Sequence, residues 1–164
     1  MDTLRVSGSS KRDVNGNATK YEAYREAWTR IKQAQKSGFF LEAITIEESI
    51  ISDRLISYLT RTPEAPSPKD KKGKILSFNQ LIERWQKHLL PNTISSTDYT
   101  DLTIEIDEWR KSRNDAIHAI VKSEPGQSMD DIEVFLENAK KVAVRGEYLA
   151  REVCKWDKQV KRKA

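Results

Sequence analysis

Leu102-Thr-Ile-Glu-Ile106-Asp-Glu-Trp109-Arg110-Lys-Ser-Arg113-Asn114-Asp-Ala116-Ile-His118-Ala-Ile120 is the stretch from which the fold is read. Leu102, Ile106, Trp109, Ala116 and Ile120 recur at steps of three and four, the period of one apolar face of an α-helix. Arg113 takes the slot in that face where the spacing asks for another apolar side chain. A guanidinium there must meet a carboxylate, a phosphate or a cleft, because an unpaired buried charge costs on the order of several kcal/mol. Asn114 and His118, four apart, lie one turn above the other on a neighbouring face, and Arg110 extends that face by a further turn. Arg113 and His118 are five apart and point about 140° away from each other. They meet on one small group if the arginine bends across or if a second copy of the helix completes the site, and the spacing favours a site shared between two chains.

The same periodicity continues on both sides. Thr19-Lys-Tyr-Glu22 has the form of a capping box and predicts a first helix from about residue 20 to Lys36, ended by Ser37-Gly38. Residues 1–18 are polar, include Gly8 and Gly16, lack an apolar period and read as a mobile leader. From about Phe39 to Thr60 two apolar stripes (Phe40, Ile44, Ile51, Leu55 and Tyr58; Ala43, Ile46 and Ile50) predict a helix central to the core. Glu47 falls inside the first stripe. It reads either as one half of an internal ion pair with a neighbouring helix, or, with Glu48 beside it, as the group that orients Arg113 or His118.

A third helix opens at the capping box Ser77-Phe-Asn-Gln80 and stops before Pro91, with His88 in its last turn serving the free carbonyls there. The helix of the opening stretch is expected from about Asp98 to Lys122. Pro125-Gly126 then turns the chain, and Ser128 caps a last helix whose stripe is Ile132, Phe135, Ala139, Val142, Leu149 and Val153, with Gly146 in the same row. Gly146 reads as a point of close helix approach or as a weak spot. The sum is an all-α chain, an antiparallel bundle of about five helices: a leader over 1–18, one domain over 19–157 and a basic tail over 158–164.

Composition restricts the function. At 164 residues the chain fits one domain able to bury roughly 70% of its unfolded surface. The lone Cys154 rules out an internal disulfide; with no apolar run of transmembrane or signal-peptide length, it points to the cytoplasm and away from membranes. There is no Cys-x-x-Cys, no His-Glu-x-x-His and no metal-spaced carboxylate cluster, so no metal or other cofactor is expected, and no Gly-rich phosphate loop. Cys154 and the tryptophans Trp28, Trp85, Trp109 and Trp156 read as packing.

Charge is placed unevenly. In residues 155–164 five cations (Lys155, Lys158, Lys161, Arg162 and Lys163) face Asp157 alone, a balance of +4 that equals the net charge of the whole chain. Such a tail both opposes the negative end of a helix macrodipole and tracks a phosphate backbone. Residues 61–74 form a second basic stretch, with Lys69, Lys71, Lys72 and Lys74 among prolines: a solvated connector, and after that a loop able to contact RNA. These lysines, with Lys161 and Arg162, are the candidate RNA-binding residues.

Arg113, Asn114 and His118 fit an arginine, a polar residue and a histidine after three more, and at these positions the chain resembles the HEPN superfamily of helical ribonucleases, toxins and defence effectors. The resemblance covers six residues, in the penultimate helix where that family carries them. It implies a HEPN-like bundle and a homodimer with two motifs facing across a groove. It also implies an acidic residue on an early helix facing the motif, which favours the orienting role for Glu47 or Glu48. The implied activity is metal-independent RNA cleavage by 2′-hydroxyl attack, leaving a 2′,3′-cyclic phosphate and a 5′-hydroxyl. In this expectation His118 moves protons, histidine being the side chain suited to gain and lose one near neutral pH. Arg113 takes charge on the phosphoryl oxygens, Asn114 holds the imidazole or a phosphate oxygen, and Arg110 contacts the flanking backbone. The implied role is a toxin or phage-defence effector with RNA as substrate and an antitoxin or other regulatory protein as partner. Toxins of this family that are silenced by nucleotidyl transfer carry a tyrosine two positions after the histidine; Ile120 stands there, which puts that mode of regulation in doubt. The alternative expectation is a non-catalytic helical module that binds RNA or a protein, with Arg113 and His118 kept as a buried pair.

Overall fold

The Ser77 capping box forms as read: Ser77 Oγ accepts from the Gln80 N–H at 3.4 Å and Gln80 Oε1 accepts from the Ser77 N–H at 3.1 Å, closing two donors that an open helix end leaves unpaired. In the computed structural model, which describes residues 3–120, 125–126 and 131–164, with side chains from Asn17 onward, this helix is the third of five. They are α1 (Thr3–Ser37), α2 (Phe40–Arg61), α3 (Phe78–Leu89), α4 (Leu102–Ala119) and α5 (Ile132–Lys163). No strand forms among the described residues; a single bridge pairs Lys69 with Ile75 in the connector before α3.

Three boundaries differ from expectation. The first helix begins at Thr3 rather than near residue 20, and Thr19 lies inside it. Extending an existing helix backwards needs no new nucleus, so a capping pattern within the chain does not set the start. The fourth helix begins at Leu102, where the Asp101 carboxylate accepts from the Thr103 N–H at 3.0 Å. The fifth opens at Ile132 after Asp131, which makes no side-chain cap; the expected cap at Ser128 falls outside the described residues. Left-handed glycines sit at two expected breaks, Gly38 at φ +78° and Gly126 at φ +85°, a conformation that costs a residue without Cβ little. The tail is not a separate segment, since α5 continues through Lys163.

α2 is the central helix, packed against α5, α1, α3 and α4. Its buried positions Ala43, Ile44, Ile50, Ile51, Leu55 and Leu59 use both predicted stripes. α1 and α2 are antiparallel, linked by Gln35 to Glu47 at one end and Lys20 to Asp53 at the other. α4 and α5 are also antiparallel, through Trp109 Nε1 to the Val142 carbonyl at 2.9 Å and Tyr99 to Glu152 at 2.8 Å. α2 and α5 run in the same direction, since Glu47 lies against Gly146 and Arg54 reaches Asp157. Trp85, Trp109 and Trp156 are buried as packing residues, with Trp85 and Trp156 at 5.2 Å between ring centroids. One end of the bundle therefore gathers the C-terminal ends of α1 and α4 and the N-terminal ends of α2 and α5. That end carries the Arg113–His118 stretch.

Candidate functional site at the end of α4

Arg113 turns inward to α2. Its Nη2 forms an ion pair with Glu48 and its Nη1 donates to Asn114 Oδ1 at 2.5 Å, while Nε is buried without a hydrogen-bond partner. The side chain keeps 25% exposure. Burial pulls the guanidinium below its ordinary pKa, and the Glu48 carboxylate works against that by favouring the charged form. The unexpected charge in the apolar row of α4 is thus explained by an acid one helix away.

Glu48, not Glu47, is the acid that meets the motif. Glu47 is fully buried (0% exposed) and points between α1, α4 and α5. Gln35 Nε2 donates to its Oε1 at 3.4 Å, and Oε2 has no partner and lies against Gly146 and the Trp109 ring. Desolvation, and after it the nearby Glu147 carboxylate, pushes the Glu47 carboxyl up to about 9, so it is neutral at neutral pH. Neither expected role for Glu47 holds among the described residues: it makes no ion pair there and no hydrogen bond to Arg113 or His118. The adjacent positions 47 and 48 point about 100° apart on a helix, which is enough to send one into the core and the other to Arg113. Gly146 is the close-approach point. A Cβ there would meet Trp109 Cζ2 at 2.6 Å.

His118 stands exposed on the last turn of α4. It does not form a buried pair with Arg113, and Asn114 has its oxygen turned to Arg113 rather than to the imidazole. Arg110 is occupied on its own helix: Nε and Nη2 both reach Asp107 at 2.9 Å. Burial works to raise the Asp107 carboxyl, but hydrogen bonds from Lys111 and Arg110 outweigh it and hold the group below its ordinary pKa. Beside the motif, Gly38, Phe40, Leu41, Ile120, Phe135 and Ala139 help to line an apolar cleft of about 300 Å³. Phe39, Ile120 and Leu136, which also line it, leave large apolar side chains exposed.

Comparison with family models, with curated proteins and with solved structures finds no match to this chain.

The predicted RNA-binding residues are not gathered at the motif. Lys69, Lys71, Lys72 and Lys74 are exposed on a connector that is held to α3 by Arg84, whose Nη1 donates to the Ser67 and Lys69 carbonyls. Asp70 Oδ1 accepts from the Lys72 and Lys74 N–H groups at 2.8 and 2.9 Å, which shapes the loop. Lys161 and Arg162 follow Gly146 by fifteen or more positions on α5, about 22 Å along the axis at 1.5 Å per residue. His88 lies in the last turn of α3 with its ring 5.9 Å from that of Tyr58. Burial pushes the Cys154 thiol up to about 11, consistent with a packed thiol.

One centre escaped the sequence reading. Asp157, 1% exposed, accepts from Arg54 at 3.4 Å and from Lys161 at 3.0 Å, and pairs with Arg61. Its signal was present in the spacing, because position 157 continues the Leu149–Val153 row by one further turn.

Proposed function

We propose that this protein is a metal-independent endoribonuclease that works as a homodimer, with Arg113 and His118 as its central pair. The observation that carries the reading is a half-buried Arg113, steadied by Glu48 and Asn114, five positions from an exposed His118 in the last turn of α4. The ribose 2′-hydroxyl attacks the adjacent phosphorus and the bond to the 5′-oxygen breaks, giving a 2′,3′-cyclic phosphate and a 5′-hydroxyl. His118 moves a proton between these oxygens. Arg113 offers a fixed cation to the phosphoryl oxygens as charge builds on them, with Glu48 holding its plane. Because the two side chains leave one helix in different directions, a second copy supplies the facing pair. The exposed apolar side chains of Phe39, Ile120 and Leu136 at the cleft support a second copy seated there. The RNA is single-stranded or structured, and the setting is a toxin or phage-defence effector in the cytoplasm, under the control of an antitoxin or other regulatory protein.

The second reading, a helical module that binds RNA or protein without cutting it, is favoured by one feature: the Arg113 guanidinium already has protein partners at two of its three nitrogens. Incubation of the full chain with labelled single-stranded RNA and transfer RNA in EDTA separates the two. Cleavage to cyclic-phosphate ends, abolished by Arg113→Ala and by His118→Ala, is the result expected. A folded, dimeric parent that leaves both RNAs intact selects the binding module.

A further inference from the structure

Away from the α4 motif, α1, α2 and α5 enclose a second cleft of about 490 Å³, within the range of small-molecule sites, roughly 300–1,000 Å³. Its lining brings Lys20, Arg54, Lys158 and Lys161 together with one carboxylate, Asp157. Asp157 is already shared among Arg54, Arg61 and Lys161, and Asp53 behind it is shared between Lys20 at 3.0 Å and Arg54 at 2.7 Å. Lys158 has no ion-pair partner among the described residues. Among the described residues, four cations and one carboxylate thus line the cleft, with Arg61 and Asp53 paired to them from just outside it, an excess of three positive charges in a concave setting. The macrodipole of α5 accounts for cations in its last turn but not for Lys20 and Arg54, which come from α1 and α2.

An aromatic side chain stands at the same cleft. Tyr21 is 66% exposed, with the Arg25 guanidinium over its ring at 6.0 Å from the centre, and Trp28 lines the same cleft with the Arg151 guanidinium 4.3 Å from its ring centre. A flat ring next to a cleft with excess positive charge, where Lys158 is unpaired and Lys20 and Lys161 share their aspartates with arginines, matches the two halves of a nucleotide: phosphate oxygens take the ammonium donors, and the base stacks on the ring. We propose that this cleft binds a nucleoside phosphate, with Lys20, Lys158 and Lys161 on the phosphate and Tyr21 under the base. The ligand chemistry is the same for a free nucleotide and for a 5′-phosphorylated nucleotide of an RNA strand. The site stands independently of the reading given to Arg113 and His118.

The full chain is titrated with 5′-AMP, with inorganic phosphate and with a 5′-phosphorylated oligoadenylate, the last on a His118→Ala background so that strand cleavage does not enter. Calorimetry gives the stoichiometry, and the fluorescence of Trp28, more exposed than the other three tryptophans, reports the site. AMP should saturate one site per chain. Tyr21→Ala should weaken AMP by about tenfold, the loss of one stacking contact, and leave phosphate unchanged. Lys158→Glu, which breaks no described ion pair, should weaken both by about tenfold or more, with the helical circular dichroism unchanged. Tighter binding of the oligonucleotide than of AMP identifies a strand as the source, and equal binding a free nucleotide. The proposal is overturned by AMP that does not saturate below about 1 mM, by affinity indifferent to Lys158→Glu, or by a Tyr21→Ala variant that binds AMP as the parent does.

Discussion

Glu47→Gln should stabilise this protein at neutral pH, and by an amount that grows with pH. The folded carboxyl, fully buried, holds its proton up to about 9, whereas the ordinary value is 4.5. As pH rises through 4.5 the unfolded chain releases this proton and the folded chain keeps it, so the unfolded state gains relative to the folded one. Stability from this group is therefore fullest below pH 4.5 and falls until about pH 9, where both states are ionised. At pH 7 the interval above the ordinary midpoint is about 2.5 pH units, and at about 1.4 kcal/mol per unit the cost is about 3 kcal/mol. Glutamine keeps the shape and the contact to Gln35 and removes the ionisation, leaving one amide N–H₂ where Oε2 now lacks a partner. Urea unfolding of parent and variant from pH 4 to pH 8 measures the difference. The variant should match the parent near pH 4 and exceed it by about 2–3 kcal/mol at pH 7. Two parallel pH profiles would refute the argument, because they would mean that Glu47 ionises alike in both states.

Gly146→Ala should destabilise the fold by about 1–3 kcal/mol in the same assay: overpacking against Trp109 and Glu47 exceeds the gain of about 1 kcal/mol in helix propensity. Asp157→Asn leaves Arg54, Arg61 and Lys161 around a neutral group, and because those cations are themselves partly exposed the loss should be about 2–3 kcal/mol, read as a lower urea midpoint with unchanged slope. Glu48→Gln should preserve the helical circular dichroism while lowering RNA cleavage by roughly ten- to a hundredfold, since Arg113 then loses the negative charge that holds it and keeps only neutral acceptors; an unchanged rate would show that the Glu48 charge does not position the arginine.

Periodicity made most of the bundle legible. The rows Leu102–Ile106–Trp109–Ala116 on α4 and Phe135–Ala139 with Leu149–Val153 on α5 are buried as read, because an amphipathic helix has a single favourable side to turn to the core. The Ser77–Gln80 box and the glycine at position 38 were equally local signals and mark real boundaries. The start of α1 was less legible, since a capping pattern marks where a helix can begin and does not oblige it to begin there. Of the three residues singled out on α4, Arg113 and Asn114 are joined by a hydrogen bond and His118 stands apart from them, and the partner of Arg113 was narrowed only to two neighbouring acids.

What the sequence by itself determined is the set of local, repeating facts: five helices, their apolar faces, two of their breaks, and a charge on α4 that required an answer. Each follows from interactions within a turn or two of chain, which spacing records directly. Tertiary structure alone decided that Glu48 answers Arg113 while Glu47 is neutralised against Gly146, that α2 and α5 run in the same direction, and that Lys20, Arg54 and Lys161 converge around two aspartates. Those outcomes depend on the rotation and stagger of one helix against another, where a change of one residue, about 100° around the axis and 1.5 Å along it, exchanges a buried partner for solvent.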